Sequence, residues 1–186
     1  PTFCIKTNCG VLLFIKRNIM NFIEYTNTWV KSEVTQGRIM IGIGVLLLFV
    51  CFSILRSQNE LLKGALIPLS LLFMILIGYG SYILYSRPAH AKESISLYEQ
   101  SKEEAIEKEK TKHINDNKAG KTLLRFVYPI LMLVSALILL IVPSPYYKGM
   151  ALGFVLLFVS AYIIDYGFVS RSDAFISFLS TNNTLY

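Results

Sequence analysis

The sequence predicts an all-α integral membrane protein whose four transmembrane helices form two tandem helical hairpins, joined by a charged cytoplasmic helical linker. Three observations carry that prediction. Apolar residues make up 54% of the chain and charged residues only 16%, where soluble domains average about a quarter charged. The apolar residues are also gathered into blocks: 39–55, 64–85 and 126–142 hold no charge, and 149–168 holds only Asp165. Each block reaches the roughly 17–20 helical residues that cross a hydrocarbon core of about 30 Å. Finally, Lys and Arg sort between alternate connections. Five precede the first block and eight fall between Ser86 and Thr122, whereas the other two connections hold only Arg56, Lys63 and Lys148.

Four buried core helices of a soluble protein would need polar faces, which these blocks lack. A membrane β-barrel would need alternation, and Val45 to Val50 is apolar at every position.

Taken in order, residues 1–19 do not resemble the rest of the chain. The expectation is an upstream read-through or fragment artefact, with Met20 as the better beginning and Asn21 to Glu24 as a capping box. Residues 20–38 place Phe22, Ile23, Trp29, Val30 and Val34 at helical spacing. An interfacial amphipathic helix anchored by Tyr25 and Trp29 and a plain helical lead-in are both open. Hairpin 1 covers 39–85, with spans at 39–55 and 64–85. Pro68 in its second span, and Pro129 in the third, are expected to bend their helices.

The linker, 86–122, balances its eight bases with seven acids. Glu104 and Lys108 stand in favourable i,i+4 order. The linker reads as a solvated helix, extending the second span and stopped by Asn115, Asp116, Asn117 and Gly120. Hairpin 2 covers 123–168, with spans at 123–142 and 149–168. In the tail, 169–186, Ser172 is expected to cap a short helix whose Ala174, Phe175, Phe178 and Leu179 lie along the membrane surface.

Self-comparison finds an internal repeat. Lys63-Gly64 opens the second span as Lys148-Gly149 opens the fourth. Gly78-Tyr79-Gly80 corresponds to Asp165-Tyr166-Gly167, Ser86-Arg87 to Ser170-Arg171, and Gly37-Arg38 to Gly120-Lys121. Such a duplication predicts two hairpins around an axis along the membrane normal.

Retention of positive charge on the cytoplasmic side puts both termini inside a cell membrane of the bacterial inner-membrane kind. The net charge of +6 is explained by anionic lipid beside the spans, so the expected partners are the bilayer and other membrane helices, as a homo-oligomer or with other membrane proteins, and not nucleic acid.

Arg125 and Asp165 are the ionisable residues in or beside the apolar blocks. They are expected to meet near the inner ends of their spans as a structural ion pair. Gly149 and Gly153 form a small-xxx-small motif for close helix approach, and Gly78 and Gly80 read the same way. No catalytic residues, cofactor or metal are expected: the chain has no Cys-x-x-Cys pair, and His90 and His113 lie outside the spans. The function expected is a non-enzymatic accessory, scaffold or regulatory component. A small transporter or channel is the alternative, and a membrane enzyme is disfavoured.

Overall fold

A computed structural model describes residues 6–183, with side chains over 22–180. Among the described residues every regular element is helical: α1 Lys6–Leu55, α2 Glu60–Gln100, α3 Lys102–Thr122, a π-helical segment Leu123–Val127, α4 Tyr128–Ile141 and α5 Pro145–Asn183. Four helices are long and apolar enough to cross a membrane, with α3, the π segment and α4 running as one. The expectation about residues 1–19 falls on side chains outside the described ones.

The helices outrun any bilayer. α2 has 41 residues, about 60 Å at 1.5 Å per residue, against a hydrocarbon core of about 30 Å. Each helix therefore has an apolar half and a polar half. α2 and α3 are separated by one extended residue, Ser101, whose N–H bonds Leu97 O at 2.8 Å. α3 returns antiparallel along α2, and Lys108 pairs across the turn with Glu93 at 2.9 Å.

Three expected breaks are absent, and at Asn115 to Gly120 and Ser172 neighbouring helices supply contacts that outweigh local stop and cap signals. α1 continues through Asn21, and residues 22–38 are its lead-in, with Phe22 and Trp29 buried rather than turned to headgroups. α3 continues through Asn115 to Gly120, and it is packed rather than solvated: Ala105, Ile106, Glu109, His113 and Asn117 are buried. α5 continues through Ser172, and Phe175 and Leu179 lie in a protein core instead of on a membrane surface.

The third span enters through the π segment. Pro129 lacks an N–H and its ring crowds the carbonyl four residues back, that of Arg125. The wider turn just ahead, closed by Tyr128 N–H on Leu123 O, gives that carbonyl room. Pro68 is carried inside α2.

The helices pack in the order α1, α2, α5, α4, and α1 does not meet α4. The buried positions of α1 (22, 26, 29, 33, 37, 40, 44, 51 and 54) recur every three or four residues apart from one seven-residue step after 44, a heptad-like seam that crosses from the polar half into the apolar half. α2 meets α5 where backbone touches backbone: a side-chain carbon on Gly64 would land on the Tyr146 carbonyl, and one on Gly149 on the Leu61 carbonyl. Gly153 faces Pro68, and Gly80 faces the Gly37 carbonyl of α1, whereas a side-chain carbon on Gly78 would meet nothing within 4 Å. Gly149, Gly153 and Gly80 thus stand at crossings. Gly78 does not, because its place on α2 points away from every neighbour.

Candidate functional site

The polar half begins as a helical core. Phe22, Tyr98, Ala105, Ile106, Phe175 and Leu179 bury one another, and rings bridge the space between α1 and α5. Tyr25 stacks on Phe178 at 4.1 Å between centroids, and Trp29 on Phe175 at 5.7 Å. This aromatic wall stands beside the polar groups of the same half.

The first polar cluster centres on Glu33, which is 1% exposed. Its place in the α1 seam, four residues after Trp29, turns it inward. Arg171 of α5 donates from Nε to Glu33 Oε1 at 2.7 Å, and Arg87 Nε of α2 stands 3.3 Å from Oε2. Arg171 also donates to the Gln36 side-chain carbonyl, and the Gln36 amide donates to the Ile164 carbonyl at 3.1 Å. Burial raises the Glu33 carboxyl above its ordinary pKa, against the pull of Arg171 and then Arg87.

The second cluster is a single face of α3. Glu109, His113, Asn117 and Lys121 follow one another at four-residue steps and so share a side. Glu109 Oε1 lies 3.0 Å from His90 Nε2, and Glu109 Oε2 lies 3.6 Å from His113 Nε2. Burial pushes the Glu109 carboxyl up, but the flanking His113 and His90 outweigh it and hold the group well below the ordinary carboxylate range. His113 Nδ1 hydrogen-bonds Ser172 Oγ at 2.6 Å, while Asn117 and Lys121 both donate to Asp173 at 2.8 and 2.7 Å. The His113 ring sits edge-on to Trp29 and Phe175.

Between the clusters lies a cavity of about 270 Å³ with walls from α1, α2, α3, the π segment and α5. Four polar atoms on its lining residues are buried and have no hydrogen-bond partner: Trp29 Nε1, Glu33 Oε2, Arg87 Nε and His113 Nε2. Glu33 and Arg87 face each other at ion-pair distance but are not aligned as a hydrogen bond, so each keeps unused capacity. Native proteins leave few such atoms unmet. Four around one space mark it as built to hold something polar.

Of the sequence-predicted residues, Asp165 lines this cavity, but it does not meet Arg125. Asp165 Oδ2 accepts from the Tyr128 hydroxyl at 2.5 Å, and the Arg125 guanidinium lies 5.5 Å over the Phe126 ring. The π turn displaces Arg125 from the face that an unbroken α-helix would have given it.

Glu33, Arg87 and Arg171, none of them a sequence-predicted site residue, form the centre. The available signal was register: Phe22, Thr26, Trp29 and Glu33 keep one heptad-like seam, so a carboxylate stood in line with buried aromatic residues. His113, which the sequence places outside the spans, meets Ser172 of α5. The pair falls short of an acyl-transfer triad, since Glu109 stands beyond hydrogen-bond reach of the second ring nitrogen. Among the described residues no three His, Cys, Asp or Glu side chains are grouped to hold a metal ion. No protein family, curated protein or solved structure matches the chain, so what the site does must be read from its geometry.

Proposed function

We propose that this chain is a multi-pass membrane protein with both termini and its polar half in the cytoplasm, and that it works as a non-enzymatic regulatory or accessory component of a membrane complex. The observation that carries this reading is the docking of α3. The charged segment packs Glu109, His113 and Asn117 against its neighbours, which makes the polar half a folded helical unit with its own cavity. The distribution of Lys and Arg supports the orientation. In α4 only Ser135 is buried, and Ile130, Leu133 and Leu137 are outward. That face is available to lipid and to the helices of a partner or a second copy.

The internal duplication supports the same design. Leu61 and Gly64 meet Tyr146 and Gly149 reciprocally, and each pair is related by the same 85-residue offset that aligns Lys63-Gly64 with Lys148-Gly149. Reciprocal contact of residues at equivalent positions is what a twofold axis between α2 and α5 would give. Arg87 and Arg171 are equivalent in the repeat, yet both turn to Glu33. In this reading, duplication let one half specialise as the acid and both halves supply its cations.

A small transporter is the second reading, favoured by one observation: the cavity reaches Tyr79 and Asp165, which belong to the apolar blocks. Purification in mild detergent, then reconstitution, separates the two. A stable heteromeric or homomeric complex and no solute flux in liposomes are expected. A lone protein that moves solute overturns the regulatory reading.

A further inference from the structure

We propose that the cavity between α1, α2, α3 and α5 binds a small zwitterion, a solute bearing one carboxylate and one ammonium group. The inference rests on the reading of the polar half as a regulatory unit and gives that unit its signal. At about 270 Å³ the space falls just below the roughly 300–1,000 Å³ of pockets for drug-sized ligands, which limits the occupant to a small molecule.

The unmet groups set its chemistry. Trp29 Nε1 is buried, without a hydrogen-bond partner and able only to donate, and Arg87 Nε, likewise a donor only, stands 3.3 Å from Glu33 Oε2 without an aligned hydrogen bond, so both have room for a further acceptor, and the guanidinium makes an anionic one preferable. Three carboxylates on the same cavity call for the opposite. Glu33 Oε2 is buried without a hydrogen bond, Asp165 of α5 uses one oxygen on Tyr128 and keeps the other, and Asp116 of α3 lines the cavity from an exposed position in the field of Lys112.

A simple anion would satisfy Arg87 and Trp29 but face Glu33, Asp116 and Asp165. A simple cation would meet those acids but leave the donors unmet and face Arg87. A molecule with both charges meets both sets. The Trp29 and Phe168 rings already face the Arg87 and Arg171 guanidinium groups, and the Tyr79 ring, which also lines the cavity, adds a face for an ammonium group.

The test uses the full chain in detergent. Its thermal shift and calorimetric binding are measured with a panel of free amino acids of short and long side chain, with acetate and ethylammonium as the two half-ligands, and with glycerol as a neutral polar probe. At least one amino acid is expected to raise the melting temperature in a saturable way while the half-ligands and glycerol do not. Arg87→Gln and Asp116→Asn should each weaken that binding about ten-fold, the loss of one charge-assisted hydrogen bond.

Absence of binding across the panel, equal binding of acetate, ethylammonium or glycerol, or full affinity in Asp116→Asn overturns the proposal and leaves water as the occupant. Asp116 is exposed, so its variant keeps the test decisive even where Arg87→Gln fails to fold. Partner association measured on the same preparation separates the two readings. Binding lost with association intact overturns the ligand alone, and binding present without a partner overturns the regulatory role alone.

Discussion

The two halves of each helix solve packing in different ways. In the polar half, Phe175, Leu179 and Ala105 are at most 1% exposed, and rings stack from helix to helix around buried Glu33, Glu109 and His113. In the apolar half, Leu46, Phe49 and Leu140 are 67%, 64% and 79% exposed, and the closest approaches are made by glycines. Water drives large side chains together in the first. Lipid tails are as apolar as leucine, so no such drive operates in the second, and association there depends on how near two backbones can come. One continuous helix thus obeys two solvents.

The contrast breaks most sharply at Gly64. Leucine there, or at Gly149, places a side chain where a carbonyl of the facing helix stands, and backbone cannot yield as a flexible side chain can. Overpacking of this kind costs about 1–3 kcal/mol where neighbours can move, and more is expected here. The measurement is the yield of monodisperse protein from detergent, which should be largely lost. Gly42→Ala is the control. Nothing lies within 4 Å of the added carbon, and the yield should hold or rise, since alanine is favoured over glycine in a helix by about 1 kcal/mol. Equal losses at Gly64 and Gly42 would show that the α2–α5 crossing is not special.

Gly149 was legible in the sequence as a packing residue, and Gly64 and Glu33 were not. Block length and charge sorting give the four spans because the bilayer imposes a length and a polarity on each. Gly149 and Gly153 stand out because small residues four apart leave a mark that needs no partner to be seen. The polar half offers no comparable constraint. Val30 and Val34 read with Phe22, Ile23 and Trp29 as one apolar face, yet Thr26 and Glu33 are buried, at 2% and 1% exposure, and the partners of Glu33, Arg87 and Arg171, come from helices distant in sequence. The breaks expected at Asn115 and Ser172 are genuine local signals, overridden by neighbours that a single segment cannot reveal. Arg125 was misplaced for another reason. A π turn ahead of a proline shifts the helical face, and the usual periodicity does not anticipate it.

The next largest effect sharpens the contrast between solvents. Phe175 is 0% exposed and touches rings from α1 and α3, so Phe175→Ala should destabilise the polar half by about 3–5 kcal/mol, the range for truncating a buried aromatic residue. Leu140→Ala removes a side chain of α4 that contacts little of the protein, and no change in the melting transition is expected from it. Hydrogen exchange resolved by peptide provides the check. Phe175→Ala should raise exchange in α3 and the end of α5 while the spans stay protected, and uniform loosening would mean that the two halves fold as one unit.

The smallest effect is electrostatic, and it asks whether the polar half is dry enough for its charges to matter. The Glu109 carboxyl is held below its ordinary value of 4.5 by His113 and His90, so folding favours its ionised form. That contribution is complete above the ordinary value and is lost as pH falls through it toward the depressed folded value. Glu33 has the opposite sign. Its raised pKa makes its contribution greatest at low pH and lost as pH rises through the folded value, so the two partly cancel in wild-type protein. Glu109→Gln should therefore lose the decline in melting temperature on acidification from about pH 5 to pH 3, leaving a flat or reversed slope. Glu93 is also held down, by the hydrogen bond and charge of Lys108, but that pair stands in water, where solvent and salt screen it. Glu93→Gln should keep the wild-type slope. If both variants flatten it alike, burial gives Glu109 no advantage and the aromatic wall beside it does not exclude water.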